Sequence, residues 1–232
     1  MTRDGARPGI LAIWNDCAPE GRADYERWYM AQHLPERVTV PGFRFGRRYQ
    51  AIEATSQYFT YYETDSAAVL ASPPYLERLE NPTPWTRRVM PHFRDTSRTI
   101  CRLAASVGSM QGSHVLAIHA SAPAAPGAEF EDSVAGTILP NLEETADVCR
   151  GQFWIAAPGE APAAVAEAEM RGQPDRQIAW ALVVETSRPE SARALAADGS
   201  LPEALTKAGA GPEISRGLYR LLCVLEHGSL VS

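Results

Sequence analysis

The stretch YERWYMAQH, Tyr25 to His33, concentrates side chains that can pack and also exchange hydrogen bonds. On a helix at 100° per residue, Tyr25, Trp28, Tyr29, Gln32 and His33 share an arc of about 140°, with Glu26, Arg27 and Ala31 outside it. A core-facing stripe would carry aliphatics there. This one carries phenols, an indole, an amide and an imidazole, a face able to line a pocket for a small, partly aromatic ligand. His33 is the candidate general acid or base, and Tyr29 the candidate donor to a developing enolate or phenolate oxygen. The competing reading is a structural histidine among packed aromatics. A helix C-terminus favours the imidazolium and burial favours the neutral ring, so the sign of any pKa shift is open at this level. Pro35 should end the helix at about Leu34.

Other candidates lie on the elements around this helix. ILAIWND, residues 10–16, reads as a buried strand that delivers Asn15 and Asp16 to its C-terminal end, either to orient a substrate or to close a turn. Trp14 and Trp85 read as pocket wall or core, and Tyr25 and Trp28 as substrate-contacting or packing rings. Arg47 and Arg48 are neighbours on an alternating strand, so only one can face a given pocket; Arg48 is carried forward as the candidate. His92, between Pro91 and Phe93, reads as a helix-end residue and as the rival to His33 for a haem ligand. The five histidines show no metal-ligand spacing, and no Gly-rich phosphate loop or nucleophile elbow is present.

The elements needed to hold these residues can be read in order. The strand 10–16 and the helix are followed by a Pro41-Gly42 turn, an alternating strand FRFGRRYQAI (43–52) and an aromatic strand QYFTYYET (57–64). A short helix over about 66–79, interrupted by Pro73-Pro74, precedes another carrying Trp85, with Thr83 as N-cap and Pro84 at its first position. SRTICRLAA (97–105) is the fourth strand. The order β-α-β-β-α-β is the ferredoxin-like plan. SVGSMQGS then reads as a linker.

After the linker the plan repeats. VLAIH (115–119) echoes ILAIW, Leu139-Pro140 echoes Leu34-Pro35, VVET (183–186) echoes YYET, and SRGLYRL (215–221) echoes SRTICRL. Four echoes in one order indicate a duplication, with units over 1–106 and 107–232. The extra length of the second unit lies in 157–175, a loop or short helix between its second and third strands. One ferredoxin-like unit leaves a sheet face bare, and two in one chain can cover each other. The predicted fold is therefore α+β: two tandem βαββαβ units packed sheet to sheet as an intrachain barrel, with the last strand of each unit near the seam. Sheet edges could still pair between chains to give a homo-oligomer.

WND (14–16), WYMAQHLPER (28–37) and PGFRFGRRY (41–49) together resemble the EthD-like branch of the dimeric α+β barrel superfamily, the W-Y-x-x-x-H-x-P core being the most specific part. The resemblance spans about residues 9–103. It implies a small-molecule pocket between the sheet and helices of one unit, where a His or Tyr handles a proton. It leaves the reaction open, since relatives include isomerases, polyketide cyclases, cofactor-free monooxygenases and haem proteins.

The duplication also compares the halves directly. Tyr25, Trp28, Tyr29, Gln32 and His33 correspond to Phe130, Ser133, Val134, Thr137 and Ile138, and Asn15 and Asp16 to Ala120 and Ser121. The second helix is thus an apolar core face, and the working pocket is expected in the first unit. The expected function is a cofactor-independent enzyme using His/Tyr acid-base chemistry on a small aromatic, lactone or polyketide-like compound. Isomerisation, cyclisation, elimination and cofactor-free oxygenation all fit. The alternatives are a non-catalytic small-molecule-binding protein and a haem-binding barrel. A net charge of −6 without a basic tract argues against nucleic acid, and no apolar run is long enough to span a membrane. Four scattered cysteines without a CxxC pair suggest reduced thiols in the cytoplasm.

Overall fold

The computed structural model describes residues 7–122, 126–157, 159, 165–211 and 213–229. Eight strands are present: β1 (Gly9–Cys17), β2 (Phe43–Glu53), β3 (Tyr58–Thr64), β4 (Phe93–Gly108), β5 (His114–Ser121), β6 (Val148–Ala156), β7 (Ile178–Thr186) and β8 (Ile214–Glu226). They close into one barrel in the order β1-β3-β2-β8-β5-β7-β6-β4. The first unit supplies β4-β1-β3-β2 and the second β8-β5-β7-β6, so each has the ferredoxin-like order. The seams are β2–β8 and β4–β6, both antiparallel. The last strand of each unit is a seam strand, as expected. β4 outruns the expected 97–105 because its far end pairs with β6, from Cys101↔Ala156 to Gly108↔Arg150. Residues 106–108, expected to be linker, are strand. Each of the eight strands has a partner on both sides within the chain. The edge pairing between chains allowed by the sequence therefore has no edge among them to use.

The sheet separates three apolar layers. Alternation sends Trp14, Tyr49, Phe59, Tyr61, Trp154 and Tyr219 into the barrel. Tyr25, Trp28, Tyr29, Tyr58 and Tyr62 lie between the sheet and helices of the first unit. Phe130, Val134, Ile138 and Phe153 occupy the equivalent layer of the second. The second helix is the apolar face that the duplication implied.

The echoes now have physical causes. The helix does not end at Leu34. It runs from Arg22 through a π-turn at Tyr29–His33 to Val38, with the Leu34 N–H donating to the Tyr29 carbonyl. The second unit repeats this at Val134–Ile138 and continues to Glu143. In both, the wide turn stands immediately before the Leu-Pro pair, where a proline ring would otherwise meet the carbonyl four residues back. Each leucine sits on a glycine of its second strand: a Cβ on Gly46 would lie 2.7 Å from Leu34 Cδ1, and one on Gly151 2.9 Å from Leu139 Cδ2. The Glu-Thr echo places Glu63 and Glu185 where each meets an arginine of the other unit, Arg150 and Arg47 respectively.

The insertion contains a helix, Val165–Arg171, between β6 and β7. Residues 158 and 160–164 of the expected loop lie outside the described residues. This helix belongs to the second unit but docks on the first: Glu167 accepts from Arg37 Nη2 at 2.7 Å, and Met170 packs into the first helix–sheet layer. Further along the first unit, Thr83 accepts from the Thr86 N–H at 3.1 Å and Pro84 opens the helix Pro84–Val89, as its sequence predicts.

Candidate functional site

The helix Arg22–Val38 lays its aromatic face on β1, β2 and β3. Tyr25, Trp28, Tyr29 and His33 are all buried, so the predicted arc is the inward face. The His33 ring stacks on Trp28, centroids 4.2 Å apart and planes 27° apart, and meets the edge of Tyr29 at 5.0 Å. Its Nδ1 is buried without a hydrogen-bond partner. Burial holds the imidazole well below its usual pKa, and the charges of Arg37, Arg48 and Arg171 act in the same direction. The sign left open by the sequence is therefore that of the neutral ring: burial and three guanidiniums act together, and the helix end that would favour the cation lies a turn further on, at Val38.

Arg48 sits at the centre of the layer with no exposed surface. Its Cζ lies 5.1, 4.4 and 4.8 Å from the ring centroids of Tyr25, Tyr29 and Tyr58. Its Nη1 donates to Glu26 Oε2 at 2.7 Å, and Tyr58 donates to Glu26 Oε1 at 2.6 Å. Nε and Nη2 of Arg48 have no acceptor. Burial opposes the charge, but Tyr25 and Glu26 hold the guanidinium above its usual pKa, so it stays protonated. Burial raises the Tyr29 phenol, keeping it a donor at neutral pH. Thr60 Oγ1, Tyr62 OH and Arg37 Nη1 are further buried polar atoms of this unit without partners. Unpaired donors around a neutral imidazole make a site suited to a substrate oxygen that gains negative charge.

The remaining candidates divide. Asn15 is fully buried and exchanges hydrogen bonds with the Tyr25 hydroxyl at 3.1 and 3.3 Å, tying the end of β1 to the helix. Asp16 closes a turn, accepting from the Gln57 N–H at 2.6 Å. Trp14 points into the barrel, stacked on Phe59 at 4.6 Å, because odd and even positions of β1 face opposite sides. Trp85 packs at the edge of the layer and donates to Asp24 at 3.0 Å. Thus Tyr25, Trp28, Tyr29, His33, Arg48 and Asn15 come together, whereas Trp14 and Asp16 are not brought to His33. Arg47 points into the barrel and pairs with Glu185, as alternation required.

Four partners escaped the sequence reading. Glu26 fell outside the arc yet pairs with Arg48. Arg37 is one turn beyond His33 on the same face, and expecting the helix to stop at Leu34 hid it. Glu167 and Arg171 have i, i+4 spacing, which normally marks a solvated helix face; here both are buried beside Arg37, and Arg171 also pairs with Asp175.

Among the described residues no group of three or more His, Cys, Asp or Glu is placed to hold a metal ion. The His33 ring is stacked on Trp28, and the His92 ring lies against Gly21, where a Cβ would come within 2.2 Å of it. No helix of the described residues is long and apolar enough to cross a membrane.

The architecture is that of the dimeric α+β barrels, with both halves in one polypeptide. No protein-family model matches the chain, and no curated protein matches it. Solved structures do share the fold. An anthrone oxidase-like protein superposes with a TM-score of 0.68 over 99% of this chain and 97% of its own, at 11% identity. A candidate monooxygenase from Fusobacterium nucleatum gives 0.58 over 97% of each chain, at 8% identity. Another from Lactobacillus acidophilus gives 0.57 over 97% of this chain and 99% of its own, at 10% identity. At such identities the likeness is one of fold, and its near-complete coverage extends to both units.

Proposed function

We propose that the chain is a cofactor-independent enzyme whose first unit handles a proton on a small aromatic or polyketide-like compound. The observation that carries this reading is the pairing of the buried, neutral His33 with the unsatisfied donors of Arg48, in one unit only. Neutral His33 takes a proton from a phenolic O–H or an activated C–H. The resulting imidazolium is disfavoured by Arg37, Arg48 and Arg171, but the same charges favour the substrate anion formed beside it. Tyr29 donates to that anion. In the oxygenase form of the reaction the carbanion reduces O₂, one oxygen atom becomes the new carbonyl and the other leaves as water. The monooxygenase and anthrone oxidase-like descriptions of the structural neighbours support this form. Within the superfamily, the W-Y-x-x-x-H-x-P motif favours the EthD-like branch.

The test is a panel of anthrones, hydroxynaphthoquinones and unsaturated lactones incubated aerobically with protein purified without added cofactor. Conversion should follow protein concentration and persist after dialysis against chelator. Saturable binding across the panel without conversion would replace this reading with a binding protein, and a stoichiometric Soret band would replace it with a haem protein.

A further inference from the structure

A cavity of about 130 Å³ opens at the barrel mouth between the two units. Four of its lining residues are duplication pairs: Trp14 of β1 corresponds to His119 of β5, and Ser97 of β4 to Ser215 of β8. The cavity therefore straddles the internal pseudo-two-fold axis. Trp14 and His119 touch each other in its wall, ring centroids 4.6 Å apart. Tyr219 completes the wall, and the ring of Phe59 backs Trp14.

The lining is built for an acceptor. Trp14 is 2% exposed, and its Nε1–H, which can only donate, makes no well-formed hydrogen bond, only a weak approach to the Tyr219 hydroxyl; His119 Nδ1 is likewise buried and unpartnered. Among the described residues no hydrogen bond engages the Ser97 or Ser215 hydroxyl, and the rim carries the guanidiniums of Arg176, which pairs with Asp95 at 3.9 Å, and Arg216, which donates to the Ala196 carbonyl at 2.9 Å. Asp16, whose charge helps burial raise the Tyr219 phenol, is not part of the lining and is engaged by the Gln57 N–H. The volume also limits the occupant: an apolar protein cavity of about 150 Å³ takes up benzene. A volume close to that of a single ring, the Tyr219 side chain in the wall, an indole donor, two hydroxyls and rim guanidiniums fit one planar ring bearing an anionic oxygen group.

We infer that the barrel mouth binds a monocyclic aromatic carboxylate, held by Trp14 Nε1 and the paired serines and lodged between the units. The site is separate from the His33 layer, across the sheet.

Benzoate titrated into the full chain by calorimetry, with benzyl alcohol as a neutral probe of similar size, tests this. Benzoate should bind one per chain and at least tenfold more tightly than the alcohol. Trp14→Phe, which keeps a ring and deletes the N–H, should weaken benzoate at least tenfold. Ser215→Phe should abolish binding by filling the mouth from an exposed position, with the melting temperature unchanged, and His33→Ala should bind as wild type. Absence of saturable binding at tens of millimolar, equal affinity for the alcohol, or binding that survives Ser215→Phe would overturn the assignment.

Discussion

Glu167→Ala isolates the docking of the second unit's insertion on the first unit's helix. The side chains of Arg37 and Glu167 are 4% and 8% exposed, and their oxygen–nitrogen distance is 2.7 Å. Burial alone would raise the Glu167 carboxyl, but Arg37, Arg98 and Arg171 hold it below its usual pKa, so the pair is ionised. Removing the carboxylate leaves Arg37 buried with only unpaired donors, and Arg171 loses the contact it makes at 3.7 Å. A buried pair broken from one side costs about 3–5 kcal/mol, whereas an exposed pair is worth at most about 1 kcal/mol. Urea denaturation at pH 7.5 should therefore show a loss of several kcal/mol for Glu167→Ala. The double variant Arg37→Met/Glu167→Met, which removes both charges and keeps the volume, should recover most of it. A single-variant loss below about 1 kcal/mol would refute the docking, because it would mean that the pair is solvated.

Three further outcomes follow from the packing and the titrations. Gly46→Ala should cost about 1–3 kcal/mol by overpacking, since its Cβ would lie 2.7 Å from Leu34 Cδ1 and 2.8 Å from the Tyr62 ring, as read by thermal denaturation. Gly136→Ala, in the other unit's π-turn with nothing within 4 Å of the new carbon, should be neutral or stabilising. His119 is pushed down to about 4 by burial, with Arg176 acting in the same direction. The unfolded chain therefore holds the extra proton between about pH 6.5 and 4, and stability falls as pH drops through that window, by at most roughly 3 kcal/mol from this group. His119→Phe should flatten the dependence of urea midpoint on pH between 6.5 and 4; an unchanged slope would show that His119 is solvated.

Much of the fold was legible because it depends on periodicity. Alternation separated Arg47 from Arg48, and the echoes Leu-Pro, Glu-Thr and Ser-Arg marked the π-turns, the cross-unit ion pairs and the seam strands. The site was legible where a single helix builds it, in Tyr25, Trp28, Tyr29 and His33. It was not legible where the chain returns from a distance. Glu167 and Arg171 lie 130 residues or more from Arg37, and nothing local distinguishes their i, i+4 spacing from that of a solvated helix. Arg37 was hidden by a rule that usually holds: proline ends a helix unless a wider turn makes room for it, and the backbone alone records that turn. Trp14 and Asp16 stand next to Asn15 in sequence, yet a strand sends neighbours to opposite faces. Trp14 consequently serves the barrel interior while Asn15 holds the helix.

The central claim is that acid-base chemistry resides in the first unit and that the equivalent position of the second is core. The most direct measurement is turnover per folded molecule for His33→Ala and Ile138→Ala, side by side on a substrate converted by the wild type, with urea denaturation of each. Loss of a general acid or base should lower turnover of His33→Ala by about 10²–10⁴-fold while the fold persists. Ile138→Ala should turn over as wild type and lose about 2–5 kcal/mol as a core truncation of a side chain 6% exposed. A His33→Ala protein that melts early but turns over normally would contradict the account, as would loss of turnover in Ile138→Ala without loss of stability.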